Sequence, residues 1–303
     1  MNKILVIGSS NMDLVVQVPR CPAAGETLFG SSFTTNYGGK GANQAVAVAR
    51  IGSGVTFMTK LGNDTFGQQM RQHFSEEGMD LTHILTDAES PTGTALITVE
   101  DKGENRIIVV PGANARLTEN DVESLSAEIN SCRFVLTQLE IPLPTVLHIA
   151  EMTSAAGKQL ILNPAPARPL PKSLLQKVFL ITPNETEAKI LTGIRVSDAE
   201  SARRAALWFR EKGVQQIVIT MGSQGAFVFT DDFQGMVPSY KVKTIDTTAA
   251  GDVFNGALTV ALSEGKTTAD AARFGCAASA LAVMRPGAQS SIPTRTEIDA
   301  FLA

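Results

Sequence analysis

The sequence predicts an α/β protein with a mostly parallel central sheet. Along its 303 residues, short apolar segments alternate with longer segments of helical periodicity. The apolar segments are nearly continuous, which is typical of strands buried on both faces, so we expect a three-layer α/β/α arrangement. Ligands of such sheets bind at the carboxyl ends of the strands, and most polar motifs of this chain follow predicted strands.

The individual elements follow from length and periodicity. Short β-branched runs predict strands at residues 3–8, 55–61, 134–138, 159–163, 178–182 and 217–221. Apolar residues three and four apart predict helices at residues 41–51, 66–77, 143–156, 185–191, 199–212, 251–263 and 268–285.

Two stretches break the alternation. Residues 14–18 with 26–37, and 94–99 with Asn105–Val110, alternate apolar and polar side chains without a crossover helix between them. They predict a small second sheet whose apolar face needs a cover, although a surface flap without a partner is the alternative. No repeat or linker is visible, so we predict a single domain over residues 1–303.

Composition narrows the function classes. The apolar fraction is 44%, the charged fraction 18% and the net charge −4, which favours a globular protein without a nucleic-acid surface. No apolar stretch approaches membrane-spanning length, and the first apolar run is too short for a signal peptide. Three scattered cysteines predict reduced thiols, and three scattered histidines predict surface or packing roles without a zinc site. These observations predict a cytoplasmic protein.

The segment Asp-Thr-Thr-Ala-Ala-Gly-Asp at 246–252 carries the clearest chemical signal. A turn of small residues opens into a helical pattern, where backbone N–H groups and the helix start favour an anion. Asp252 lies on the first helical turn. A carboxylate beside an anion site is what phosphoryl transfer to an alcohol needs, although Asp252 could also be a helix-capping residue.

A second polar segment, Tyr-Gly-Gly-Lys-Gly-Ala-Asn-Gln-Ala at 37–45, is dense in glycine and leads into a helix. It lacks the ending of a P-loop, and the segment at 8–13 lacks the glycine fingerprint of a dinucleotide site, which disfavours a dehydrogenase. The glycines would let the backbone approach a polyol closely. A tight loop with a helix cap is the alternative.

Together, the segments at 37–45 and 246–252 resemble the two signatures of the ribokinase (PfkB-type) sugar kinases, in that family's order. The segments at 163–167, 182–187 and 220–225 extend the resemblance over essentially the whole chain. The resemblance implies a ribokinase-like fold with a small sheet that covers the sugar and pairs with a second subunit in a homodimer. It also implies transfer of the γ-phosphate of ATP to the 5-hydroxyl of D-ribose.

The resemblance assigns roles around the transferred phosphate. Asp252 would be the catalytic base, and the N–H groups of Ala249, Ala250, Gly251 and Asp252 would form an anion hole. The family often has glycine where Ala249 stands, and alanine fits there if its φ is negative. The sugar-binding residues by resemblance are Asn11, Asp13, Gly39, Lys40, Asn43, Glu140 and Asp252.

For two of these residues, the chemistry of the side chain itself indicates a role in sugar binding. Asp13 can accept hydrogen bonds from two neighbouring hydroxyls, and Asn11 would favour ribose over its 2-deoxy analogue because an unpaired buried donor is costly. Ordinary turn-forming residues are the alternative for both.

The nucleotide and metal residues also come from the resemblance. ATP would contact Asn184, Thr220, Gly222, Ser223, Gly225, Gly251 and Cys276, with Val242 near the adenine. Phe227 could be only a core residue, and no role is predicted for Ser279, where the family often has asparagine. Asn184 and Glu187 would organise Mg²⁺ through its waters, although Asn-x-x-Glu is also a capping pattern.

A potassium ion is the last implied ligand. It would lie near the anion hole, bound mostly through backbone carbonyls of Asp246, Thr248, Ala282, Arg285, Gly287 and Ser291. A plain turn around Pro286 is the alternative. For the function, the alternatives are the same transfer to deoxyribose, another pentose or ketose such as fructose, or a nucleoside, and a non-catalytic sugar- or nucleotide-binding regulator.

Overall fold

The computed structural model of the protein describes residues 3–52 and 54–303. Its strands are β1 (Lys3–Ile7), β2 (Asn11–Val18), β3 (Ser32–Gly38), β4 (Val55–Gly62), β5 (Ile84–Asp87), β6 (Gly93–Glu100), β7 (Asn105–Val110), β8 (Cys132–Thr137), β9 (Gln159–Leu162), β10 (Val178–Ile181), β11 (Gln216–Thr220), β12 (Ala226–Phe229) and β13 (Gln234–Val237).

The helices fall between these strands. They are α1 (Lys40–Ile51), α2 (Thr65–Glu76), α3 (Glu119–Glu123), α4 (Ser126–Ser131), α5 (Leu143–Ala155), α6 (Lys172–Leu175), α7 (Glu185–Thr192), α8 (Ala199–Glu211), α9 (Ala250–Ser263), α10 (Thr268–Ala282) and α11 (Arg295–Leu302). Short 3₁₀ turns lie at Gly112–Arg116, Gly222–Gln224 and Gln289–Ser291.

The main sheet has the strand order β13-β12-β11-β10-β9-β8-β1-β4-β5. All neighbours from β11 to β5 run parallel, whereas β12 pairs antiparallel with β11 and with β13. Side chains alternate across a strand, so Ile4 and Val6 join one core while Leu5 and Ile7 join the other. Helices α1, α2, α9, α10 and α11 cover the first face and α3 to α8 the second. The predicted three-layer α/β/α class is confirmed.

A separate sheet of four strands has the order β3-β2-β6-β7. Strands β2 and β6 are parallel, and the outer pairs are antiparallel. Two details differ from the prediction. β2 begins at Asn11, so Asn11 and Asp13 lie in a strand rather than in a turn. Residues 26–31 lie outside β3, because Glu26 there accepts a hydrogen bond from the Ala23 amide and pairs with Arg20.

All the predicted strands and helices of the main layers are present, with ends shifted by up to three residues. The prediction missed β5, β12 and β13, and the short helices α3, α4, α6 and α11. Helix α10 ends at Ala282 rather than at 285, because Pro286 disfavours helical geometry in the residue before it. The cysteines are free, as predicted. Within the described part of the chain, no helix has the length and apolarity needed to cross a membrane.

Candidate active site

Helices α1 and α9 meet where neither has a bulky side chain. A Cβ placed on Gly256 would lie 2.5 Å from the Cβ of Ala47, so the two backbones approach closely there. Asn43 and Asp252 lie one turn earlier on the same faces of these helices. The close approach therefore places the first turns of α1 and α9 side by side.

The Asp252 carboxylate is held by two amide side chains of α1. Asn43 Nδ2 donates to Oδ2 and Gln44 Nε2 donates to Oδ1, both at 2.9 Å. Asp252 is 5% exposed and lines a cavity of about 540 Å³. Each carboxylate oxygen can accept further hydrogen bonds, so the group is fixed in orientation and open to a ligand.

A buried polar network supports Gln44 from behind. Gln138 Nε2 donates to Gln44 Oε1 at 2.7 Å, and Gln44 Nε2 also donates to Asn163 Oδ1 at 3.0 Å. Asn163 Nδ2 in turn donates to the Thr182 carbonyl at 3.2 Å. The sequence analysis missed these contacts. The sequence could have indicated this network, because residues 138, 163 and 182 are the last residues of three predicted strands.

The turn before α9 is strained at Ala249. Its φ is +58°, and it is the one non-glycine residue with positive φ in the described part of the chain. The expectation of a negative φ is wrong, and this conformation costs an alanine about 1–2 kcal/mol. The Ala250 amide donates to the Thr247 carbonyl at 3.2 Å, whereas those of Ala249, Gly251 and Asp252 have no acceptor among the described residues. Three N–H groups are thus available to an anion, rather than four.

The glycines of the segment at 37–45 make room for the chain itself. Gly39 has φ +87°, and a Cβ there would lie 2.6 Å from the Asn11 nitrogen. A Cβ on Gly38 would lie 2.2 Å from Asp13 Oδ2. The predicted reason, close approach to a polyol, is therefore incomplete, because these glycines first allow Asn11 and Asp13 to sit beside α1.

Four charged groups lie close together at this junction. Glu140 Oε2 accepts hydrogen bonds from Ser9 Oγ at 2.5 Å and from the Lys40 amide at 3.0 Å. Burial, then the charges of Glu140 and Asp252, raise the pKa of Asp13 to about 7, against an opposing effect of Lys40. The Asp252 carboxylate raises the pKa of the Lys40 ammonium. Several ionised carboxylates without a partner are unfavourable in this region. The region therefore favours a protonated Asp13 or a bound ligand with several hydroxyl groups.

A second cavity of about 340 Å³ is lined by Asn11 and Glu140, among others. Asn11 Oδ1 accepts a hydrogen bond from Asn114 Nδ2 at 2.8 Å, and Asn114 is itself held by the backbone of Ser10. In residues 3–52 and 54–303, no group accepts from Asn11 Nδ2. That N–H₂ group is therefore the part of Asn11 that a ligand can use.

The larger cavity collects most of the predicted nucleotide residues. Its lining includes Asn184, Thr220, Gly222, Gly225, Gly251 and Cys276. Ser223 and Val242 are not in the lining, and Phe227 is a core residue, as its alternative stated. Lining residues without a predicted role include Asn163, Thr182, Ser239, Phe254, Asn255 and Ser279. The Ser279 hydroxyl donates to the Ala250 carbonyl and so ties α10 to the start of α9.

Asn184 and Glu187 form a capping box at the start of α7. Asn184 Oδ1 accepts from the Glu187 amide at 2.8 Å, and Glu187 Oε2 accepts from the Asn184 amide at 2.9 Å. Both residues also line the larger cavity, and burial raises the pKa of Glu187. The described residues contain no cluster of three or more His, Cys, Asp or Glu that could hold a metal alone. The side-chain oxygen atoms of Asn184 and Glu187 fit a Mg²⁺ ion that keeps its waters and binds phosphates.

The residues of the predicted potassium site are joined by hydrogen bonds. Asp246 Oδ1 accepts from the Thr248 amide at 2.9 Å and from Thr248 Oγ1 at 2.7 Å, and Oδ2 accepts from the Gly287 amide at 2.8 Å. The guanidinium of Arg285 pairs with Glu297. The Ser291 hydroxyl donates to the Ala288 carbonyl at 2.8 Å. The atoms of this group that remain to bind a cation are carboxylate and carbonyl oxygens, which suit a hard monovalent ion.

Comparison with known proteins identifies the family of this chain. The pfkB family of carbohydrate kinases matches residues 1–295. A ribokinase of Haemophilus influenzae is 46% identical over 299 residues, which cover 99% of this chain and 98% of that protein.

Two solved structures agree with the fold. A Thermotoga maritima ribokinase superposes with a TM-score of 0.91 at 39% identity, covering 100% of this chain and 99% of the other. An Arabidopsis thaliana ribokinase complexed with ribose and ATP has a TM-score of 0.91 at 32% identity, covering 99% and 98%. The chain therefore belongs to the pfkB family of carbohydrate kinases, and the predicted class, an ATP-dependent sugar kinase, is confirmed.

Proposed function

We propose that this enzyme transfers the γ-phosphate of ATP directly to the 5-hydroxyl of D-ribose. The observation that carries the proposal is the position of Asp252. Its carboxylate is buried, is oriented by Asn43 and Gln44, and lines a cavity beside free backbone N–H groups. A base and an anion site at one place are the two requirements of this reaction.

In the proposed mechanism, Asp252 accepts the proton of the 5-hydroxyl as its oxygen attacks the γ-phosphorus. The amides of Ala249, Gly251 and Asp252 stabilise the negative charge that develops on the phosphoryl oxygens. The strained φ of Ala249 contributes because it turns the chain into the first helical turn. The Ala250 amide, already bonded to Thr247, supports the turn instead of contacting the phosphate.

The sugar is positioned from two sides. Asp13 and Asn11 approach from β2, and Gly39, Lys40 and Asn43 approach from the start of α1. Glu140 accepts hydrogen bonds from the Lys40 amide and from the Ser9 hydroxyl, and so holds the start of α1 against the segment before β2. Fixing the hydroxyl beside the phosphate raises its effective concentration, which accounts for much of the rate in such transfers.

ATP occupies the larger cavity in this proposal, with its phosphates toward the turn before α9. Asn184 and Glu187 would hold Mg²⁺ through its waters, and the ion would neutralise part of the charge of the phosphates. Thr220, Gly222 and Gly225 contact the nucleotide, and Cys276 lies at the adenine end. The loop of Asp246 and Gly287 would hold a K⁺ ion, whose charge would stabilise the anion hole. Equal rates in sodium and potassium buffers would contradict that last part.

The assembly and location are also proposals. We infer a single domain that forms a homodimer through the small sheet, since Phe33, Leu96 and Ile108 expose 61%, 44% and 64% of their surface. Free thiols favour a reducing compartment such as the cytoplasm. Mass measurement in solution tests the dimer. We expect the wild type at twice the mass of one chain and Ile108→Glu at the single mass, whereas a monomeric wild type would contradict it.

A panel of acceptors with coupled ADP detection tests the reaction. We expect D-ribose to have the highest kcat/KM among ribose, 2-deoxyribose, fructose and nucleosides, and Asp252→Asn to lose activity with all of them. A higher kcat/KM for another acceptor would reassign the substrate. Binding of ATP and ribose without any ADP formation by the wild type would instead favour a regulator.

A further inference from the structure

A chain of contacts joins Asp252 to the small sheet through Asn43, Gln289 and His73, and the proposed mechanism uses neither Gln289 nor His73. Asn43 Nδ2 donates to Asp252 at 2.9 Å, and Gln289 Nε2 donates to Asn43 Oδ1 at 3.1 Å. The Nε2 atom of His73 lies 2.7 Å from Gln289 Oε1. The His73 ring stacks on Tyr37 at the end of β3, with centroids 4.0 Å apart and planes 8° from parallel.

The direction of every bond in this chain is set at one end. The Asp252 carboxylate only accepts, so it requires the N–H₂ group of Asn43. Asn43 Oδ1 then needs a donor, which is the N–H₂ group of Gln289. Gln289 Oε1 consequently faces His73 Nε2, which has to carry a proton. Reversing any one amide would place two acceptors or two donors against each other.

The middle of the chain is buried and held firmly. Gln289 is 2% exposed and Asn43 is 5% exposed, so water does not readily replace either contact. Arg50 donates to the Gln289 carbonyl at 2.6 Å and pairs with Glu77, which anchors the 3₁₀ turn Gln289–Ser291 against α1. A misplaced amide at Asn43 would therefore have no substitute partner.

We propose that Gln289 and His73 are positioning residues for phosphoryl transfer, because they fix the amide of Asn43 and thereby the carboxylate of Asp252. The proposal rests on the role of Asp252 given above. It assigns a task to a histidine that sequence analysis treated as a surface or packing residue. It also places the small sheet, through Tyr37, in contact with the last member of the chain.

Substitutions at Gln289 separate the bond direction from packing. Gln289→Glu keeps the size and the acceptor for His73 but presents a second acceptor to Asn43 Oδ1. We expect kcat to fall by about 10- to 100-fold, because small misplacement of a reacting group has effects of this size, while KM for ATP stays within about twofold. The control is Gln216→Met. Gln216 is the first residue of β11, whereas Thr220 at the other end of the strand lines the larger cavity, and Gln216 accepts a single side-chain hydrogen bond, from Thr268. Its kinetics should equal those of the wild type.

A pair of substitutions at His73 tests the donor directly. His73→Phe keeps a ring for Tyr37 but has no donor, and His73→Gln keeps an N–H donor without the ring. We expect His73→Gln to retain more of the wild-type kcat than His73→Phe. The reverse order would mean that the ring stack matters and the hydrogen bond does not, which would overturn the proposal.

Nitrogen-15 NMR of the folded wild-type enzyme gives a readout independent of activity. We expect the His73 signal to show a proton on Nε2, and a neutral His73 with its proton only on Nδ1 would contradict the proposed direction. If Gln289→Glu has wild-type kcat while Asp252→Asn is inactive, this inference fails and the proposed base stands. If Asp252→Asn is fully active, the proposed base itself fails.

Discussion

The two sides of the proposed sugar site are built differently. The Asp252 side lies in the protein core, where α1 and α9 touch and both carboxylate oxygens have amide donors. The other side is a four-stranded sheet whose last strand, β7, is exposed along its whole length. Ile107, Ile108, Val109 and Val110 in this strand expose between 46% and 64% of their surface.

This difference indicates that the two sides have different roles. The core side has one arrangement of its polar groups, as a reaction with strict geometry requires. The small sheet has little packing of its own, which favours adaptation to the sugar and to the second subunit that we propose for it. Substitutions on the core side should therefore change kcat, and substitutions on the small sheet should change sugar affinity, sugar choice or assembly.

The largest effect is expected at Asp252. Replacing it by asparagine removes the base but keeps size and polarity, so kcat should fall by about 10³-fold, within the range for loss of a general base. Steady-state kinetics with ATP and ribose measures this. Asp232→Asn, at an exposed aspartate, serves as the control with unchanged kinetics. A decrease of less than tenfold would remove the distinction between the core side and the small sheet.

The next effect is expected at Asp13, on β2. Asp13→Asn should raise KM for ribose by about 100-fold, since a charged acceptor for two hydroxyls contributes roughly 3 kcal/mol. In the wild type, KM for ribose should also rise as the pH falls below about 7, where the free enzyme protonates Asp13. A KM independent of pH between 6 and 8 would contradict this assignment.

The same residue predicts a change in stability with a definite sign. The pKa of Asp13 is ordinarily 3.8 and is raised to about 7 in the folded protein, so folding disfavours the ionised carboxylate. Wild-type stability from this group is therefore fully present below pH 4 and is lost as the pH rises to 7. Asp13→Asn should exceed the wild type in free energy of unfolding, with a gain that grows by about 2 kcal/mol from pH 5 to pH 7. Denaturation at several pH values measures the gain, and a constant difference would contradict it.

A smaller effect is expected at Asn11. Its Nδ2 group has no acceptor among the described residues, while Asn114 holds its oxygen. If that group contacts the 2-hydroxyl, Asn11→Met should lower the ratio of kcat/KM for ribose to that for 2-deoxyribose by about tenfold. An unchanged ratio would show that the small sheet does not select the sugar through this residue. Asn130→Met, at an exposed and distant asparagine, is the control.

The smallest effect is expected at Ala249, on the core side. Ala249→Gly relieves a positive φ and should raise the free energy of unfolding by about 1 kcal/mol. The neighbouring Ala250→Gly has no such strain to relieve, so it should lower stability by about 0.5–1 kcal/mol. Thermal melting compares them. A lower melting temperature for Ala249→Gly would show that the turn is not strained.

Much of the fold could be predicted from the sequence because buried parallel strands and amphipathic helices have local signatures. β12 and β13 were missed because they lie after the strand–helix alternation stops, and β5 is only four residues long. The short helices α3, α4 and α6 were missed because four to six residues show no clear period.

The predicted site residues stay predictions in their roles, and the sequence did not indicate most of their contacts. Motif positions predicted roles for Asp252, Asn43 and Asp13, because their residue types and spacing follow a family pattern, and the structure places Asn43 against Asp252. Gln289 and His73 carry no motif, and their partners lie 246 and 216 residues apart along the chain. The positive φ of Ala249 was missed because alanine ordinarily avoids that conformation.

The most direct test of the central claim is a crystal structure with D-ribose and a non-hydrolysable ATP analogue. The account predicts an Asp252 carboxylate oxygen about 3 Å from the 5-hydroxyl of ribose, a hydrogen-bond distance, with the γ-phosphate on the far side of that hydroxyl beside the Gly251 amide. An Asp252 carboxylate that points away from both ligands would contradict it.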